Sequence, residues 1–113
     1  LTDLLVHVVL IKFRPAALQH VREAMYGELS RLPELCGGKG SGILYWKSDW
    51  NLDQRKGYHL MEFALFESAS AFNTFRAHPA HQSFAERLSE VADWVVGDLG
   101  ADVAELGRAL GGV

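Results

Sequence analysis

The chain has 113 residues, 49% of them apolar and 22% charged, with a formal net charge of −3. That length and balance fit one globular domain able to bury its own core. Lysines and arginines are scattered rather than gathered into a basic stripe, which excludes the usual electrostatics of nucleic-acid binding. No apolar run approaches the roughly 18 residues of a membrane span.

Cys36 is the single cysteine, so no internal disulfide can form. With no targeting signal visible, this points to a reducing, cytoplasmic setting. The chain starts at Leu1, and an initiator Met or a short leader is expected ahead of it.

Leu4 to Phe13 (LLVHVVLIKF) is β-branched and too short for a signal peptide, and it reads as a strand. One face carries His7, Val9, Ile11 and Phe13, the other Val6, Val8, Leu10 and Lys12. Both are mostly apolar, so both should meet protein. Pro15 is placed to open a helix over Ala16 to Leu32, with Leu18, Val21, Met25, Leu29 and Leu32 on one stripe and Pro33 ending it. Four glycines between Cys36 and Gly42 mark a mobile loop.

Ile43 to Asp49 and Gly57 to Phe66 read as strands separated by a polar turn. In the second, Tyr58, Leu60, Glu62 and Ala64 share a side opposite His59, Met61, Phe63 and Leu65. Ser68 can cap a short helix carrying Phe72 and Phe75. Pro79 opens another, in which His81, Phe84, Leu88 and Val91 form the buried stripe. Trp94 to Leu99 is a last strand. Residues 101–113 form a Gly- and Ala-rich tail, partly helical through Val103, Leu106 and Leu110, after a domain spanning residues 1–100.

The order β, α, β, β, αα, β is the ferredoxin-like split βαβ pattern of an α+β fold. Helices on one face leave the other uncovered, and that face is apolar here. A second copy packed against it would close a dimeric α+β barrel, so a homodimer is expected.

The stretches HVVLIKF, GYHLMEFALFES and AHPAHQSFAERL resemble the stress-responsive A/B barrel (Dabb) family from about Val6 to Leu99. The most specific piece is His78-Pro79-Ala80-His81 with Phe84 three residues on. The resemblance implies the dimeric barrel. It implies a range of functions: stress proteins without settled chemistry, a plant polyketide cyclase and a plant hydroxynitrile lyase. In the cyclase, a His at the position of His81 is the base, helped by a Tyr six residues earlier and by a strand His. Here those two positions hold Phe75 and Leu60, so the base is present without its partners.

His81 is the leading candidate, because a near-neutral imidazole on the buried stripe suits general acid–base work. The alternative is a structural His that bonds a strand backbone and closes the helix start. His78, before Pro79, suits an N-cap. His7 lies on the strand face that, by resemblance, lines a pocket, where it orients a ligand or is a satisfied core His. Glu62 sits mid-strand among apolar neighbours and must be paired, hydrated or protonated. It could pair with His7 or His81, which would lower its pKa, or form a salt bridge across the dimer or to Lys12 or Arg14.

Val9, Ile11, Tyr26, Leu60, Phe75 and Phe84 are expected to line the pocket. Tyr26, Tyr58, Trp46 and Trp94 either frame an aromatic cavity or pack the core. No metal site or cofactor is expected: His78, His81 and Glu62 lack ligand spacing, and Cys36 has only Lys39 as a positive neighbour.

Three functions follow. The first is a stress-responsive barrel protein holding a small hydrophobic or aromatic ligand between sheet and helices. The second is a cofactor-independent cyclase, lyase or isomerase with His81 as acid or base. The third is a cofactor-free monooxygenase, hinted at by Trp46 and Trp94.

Overall fold

The computed structural model describes residues 3–109 and 111. In chain order it has β1 (Leu4–Phe13), α1 (Gln19–Leu35), β2 (Ile43–Trp50), β3 (Leu60–Phe66), α2 (Ala69–Ala77), α3 (Pro79–Ser89), β4 (Ala92–Ala101) and α4 (Val103–Ala109). The four strands form one antiparallel sheet in the order β2-β3-β1-β4. β1 and β2 run parallel with β3 between them, and β3 and β4 run parallel with β1 between them. This double split βαβ is the α+β, ferredoxin-like arrangement read from the sequence.

Alternation along the strands sorts the two faces. Val9, Ile11 and Phe13 of β1 and Leu60, Ala64 and Phe66 of β3 are buried under α1, α2 and α3. Phe66 is fully buried and meets Phe72 edge-on and Phe75 in a tilted contact, each at 5.2 Å between ring centroids. The opposite face has no helical cover over its centre. Phe63 is 40% exposed, Val95 47% and Leu99 62%, beside half-buried Val8 and Leu10. Only one end of that face is closed, where Leu4 and Val6 are buried and Leu4 pairs with Ala101, beside the start of α4.

Both helix limits expected from proline move. Pro15 and Ala16 form a turn, and α1 starts at Gln19. The Arg22 guanidinium donates to the carbonyls of Ala17 and Arg14, satisfying the turn that precedes the helix. Pro33 lies inside the last helical turn, and α1 continues to Leu35. So near the end, a proline costs one backbone hydrogen bond and little else. The stop comes from the glycines: the Gly38 N–H returns to the Pro33 carbonyl at 2.9 Å and the Gly37 N–H to that of Glu34. That is a Schellman closure, with both glycines at positive φ.

Gly42 has φ +92°, and a Cβ placed there would stand 2.5 Å from the Ala71 Cβ. Gly42→Ala should therefore lower unfolding free energy by about 2 kcal/mol in a denaturant titration, more than the ordinary glycine–alanine difference.

The remaining elements differ only at their ends. β3 begins at Leu60 rather than Gly57, because Asn51 ties the preceding loop by donating to the carbonyls of Asp53 and Tyr58. β4 extends beyond the expected range to Ala92–Ala101, all of it paired with β1. Ser68 caps α2, accepting the Ala71 N–H at 3.0 Å. Asp102 opens α4 by accepting the N–H groups of Ala104 and Glu105. Leu110, expected in the tail helix, lies outside the described residues.

Candidate functional site

Strand register assembles the site. His7 of β1 stands opposite Asp98 of β4, while Glu62 of β3 stands opposite Val9, one step along. All three side chains point toward the helices. His7 Nδ1 donates to Asp98 Oδ1 at 2.5 Å, which fixes its tautomer and leaves Nε2 toward Glu62 Oε2 at 3.5 Å. That second separation gives electrostatic contact without a formed hydrogen bond. His7 and Glu62 are only 6% and 4% exposed, and Glu62 Oε2 is buried without a hydrogen-bond partner. The Phe72 ring packs on the His7 ring at 4.7 Å.

His81 enters from the first turn of α3. Pro79 supplies the first helical residue, and His78 is the N-cap, its Nδ1 accepting the Ala80 N–H at 3.0 Å. The cap aims His81 inward, where its ring meets Phe75 at 4.8 Å. His7, Glu62, His81 and Asp98 all border one cavity of about 260 Å³ between sheet and helices. Its apolar walls come from Ile11, Leu29, Leu32, Phe84 and Leu88, and Arg76, Trp94 and Val96 complete it toward the β4 edge.

Burial and like charge set the protonation states. Burial pushes the Glu62 carboxyl up to about 8, and the neighbouring Asp98 charge adds to the effect. Burial also pulls the His81 imidazole below its ordinary range. The Arg76 charge, and that of His7 whenever its ring is protonated, act in the same direction, and the Arg76 backbone carbonyl opposes them. Near neutral pH the cavity thus holds a neutral imidazole and a protonated carboxyl.

The Glu62 shift has a consequence for stability. Below the ordinary carboxyl value of 4.5, folded and unfolded chains both hold this proton. Above it the unfolded chain releases the proton and the folded chain keeps it until about 8. Stability should therefore decline across that window, by on the order of 1 kcal/mol per pH unit, and level off above it. Glu62→Gln should remove the decline, as read from thermal midpoints measured from pH 5 to about 9.

Several expectations need correction. The Glu62 pKa rises rather than falls, because His7 stays beyond bonding distance and burial prevails. Neither Lys12 nor Arg14 reaches Glu62: Lys12 lies over the Tyr58 ring, and Arg14 binds Asp93 and the Ser89 and Ala92 carbonyls.

Val9, Ile11 and Phe84 line the cavity, but Tyr26, Leu60 and Phe75 do not. Tyr26 stacks on Trp50 at 4.9 Å and donates to Asp49, at the β2 side of the sheet. Leu60 is fully buried in the core, and Phe75 fills the space between Phe66, Trp46 and His81. Of Tyr26, Tyr58, Trp46 and Trp94, named as a possible aromatic frame, Trp94 alone borders it.

Neither Asp98 nor Arg76 stands out in the sequence, and Phe72, read there as a core residue, also borders the cavity. The signal for Asp98 is alternation: it follows Trp94 and Val96 at every second position of a strand. Among the described residues no three His, Cys, Asp or Glu side chains converge as a metal site.

The family profile described as "Stress responsive A/B Barrel Domain" matches residues 5–100. The chain belongs to that family. No curated protein matches it in sequence. Among solved structures, this A/B barrel resembles a dimeric ferredoxin-like protein of unknown function from Thermobifida fusca YX, at 17% identity. The match covers 88% of this chain and 92% of that one, with a TM-score of 0.74. It also resembles the hydroxynitrile lyase from Passiflora edulis, at 16% identity over 91% of this chain and 97% of that one, TM-score 0.75. A third is SnoaB, a cofactor-independent oxygenase from Streptomyces nogalater, at 15% identity over 88% and 93%, TM-score 0.67. At these identities the likeness is one of fold. No helix among the described residues of this A/B barrel is long and apolar enough to cross a membrane.

Proposed function

We propose that this A/B barrel protein is a homodimer that binds a small, mostly apolar carbonyl compound in the cavity and moves a proton on it without a cofactor. The observation that carries the reading is the pairing of a neutral His81 with a protonated Glu62 on one cavity. Opposed shifts of two titratable groups are how a site holds a base and an acid together at one pH.

His81 takes a proton from the carbon beside the carbonyl. Glu62 donates its proton to the carbonyl oxygen, so an enol forms with no net charge left behind. Returning the proton to a different carbon gives an isomerase, adding the enol carbon to a second carbonyl of the same molecule gives a cyclase, and expelling a leaving group from the carbon next to the enol gives a lyase. His7, held by Asp98, faces the acid at 3.5 Å. The volume sits near the lower end of small-molecule pockets, roughly 300–1,000 Å³, and suits a single-ring compound.

The homodimer is supported by the apolar open sheet face and by the dimeric description of the Thermobifida protein. Unpaired, buried Cys36 fits a reducing cytoplasmic setting.

The test needs no knowledge of the product. Acetophenone or phenylacetaldehyde in heavy water should exchange its α-hydrogens for deuterium faster with the protein than in buffer, followed by proton NMR. Ligands that bind but exchange at the buffer rate would leave a binding protein and overturn the chemistry.

A further inference from the structure

The reading above leaves one wall of the cavity unexplained. Arg76, near the end of α2, borders the cavity, and it is the one Lys or Arg among the lining residues. None of the ion pairs among the described residues involves it. Its guanidinium lies over the Phe72 ring at 5.3 Å, and one nitrogen donates to Asn73 Oδ1 at 3.2 Å. Phe72 in turn rests on His7. The guanidinium is therefore held in place by an aromatic face and a neutral amide, with most of its five donors unspent.

An arginine posed in this way, without a carboxylate of its own, is suited to take one from outside. Leu29, Leu32 and Leu88 supply an uncharged, apolar part of the lining. We propose that the ligand is a small monocarboxylate: its apolar body lies among the leucines and its carboxylate is bound by Arg76 at the mouth. This rests on the cavity being a ligand site, and it adds the ligand's charge and orientation. The Arg76 field also reaches His81, whose imidazole it helps keep neutral. A carboxylate bound there would partly cancel that field, so ligand and base are electrostatically linked.

The probes are phenylacetate and its uncharged isostere phenylacetamide, titrated at neutral pH by calorimetry or by the change in tryptophan emission, since Trp94 borders the cavity. The acid should bind about tenfold more tightly than the amide to the wild-type protein. Arg76→Gln should erase that preference while changing amide affinity by less than about twofold, and Arg76→Lys should restore part of it. A purely structural role for Arg76 would weaken both probes alike and leave their ratio unchanged, which overturns the proposal. Binding of the amide without any preference for the acid overturns the carboxylate and leaves the cavity reading standing. If neither probe binds and uncharged acetophenone also fails, the cavity reading falls and this proposal with it.

Discussion

His81→Ala should lower the rate of α-hydrogen exchange by about 10²–10⁴-fold, the usual weight of one general base. The chain should remain folded, because His81 itself is half-buried on the cavity lining while Phe75, which its ring meets, keeps its core contacts to Phe66 and Trp46. His81→Gln keeps a polar side chain of similar reach and should lose about as much, since it cannot accept the proton.

The pH profile of the wild type is equally informative. Activity should rise as His81 loses its proton, below the ordinary histidine value of 6.5, and fall as Glu62 loses its own near 8. A plateau therefore lies between the two limbs. Glu62→Gln should flatten the alkaline limb at a reduced rate, whereas His81→Ala should abolish the acidic one. An unchanged rate in either His81 variant would assign the exchange to another group.

If two copies pair through the open face as proposed, Val8→Asp should leave monomers at micromolar concentration, as measured by sedimentation or light scattering. Val8 sits at the middle of the open face, between Phe63 and Gly97 on the neighbouring strands. A carboxylate there would be desolvated without a partner in the closed barrel, a cost of about 3 kcal/mol or more, or over a hundredfold in dissociation constant. Phe63→Glu places the same charge at a more exposed position and tests the effect where folding of one chain is least at risk. Variants that stay dimeric would move the interface to another surface.

Much of the fold was legible because strand alternation is a strong signal. The polar His7 among Val and Ile fixed the parity of β1, and Glu62 stood out as a carboxylate inside an apolar strand. Helix ends were not, since Pro15 and Pro33 are permissive residues whose effect depends on neighbours such as Arg22 and Gly38. The site was only partly readable for a related reason. Asp98 joins His7 through the pairing of β1 with β4, strands separated by most of the chain. Tyr26 was assigned to the pocket by its helix, but the cavity lies toward β4 and Tyr26 faces β2. Sheet order decides which end of a helix layer stays open, and local sequence carries little of it.

β1 serves two masters at single-residue spacing. His7, Val9 and Ile11 border the cavity, while Val8 and Leu10 between them belong to the bare surface behind. The proposed pairing surface and the proposed site for proton transfer thus lie back to back on one ribbon. Subunit association and turnover should accordingly rise and fall together, so that diluting the protein below the dissociation constant of the pair dims the chemistry even though each chain carries a full set of reactive groups.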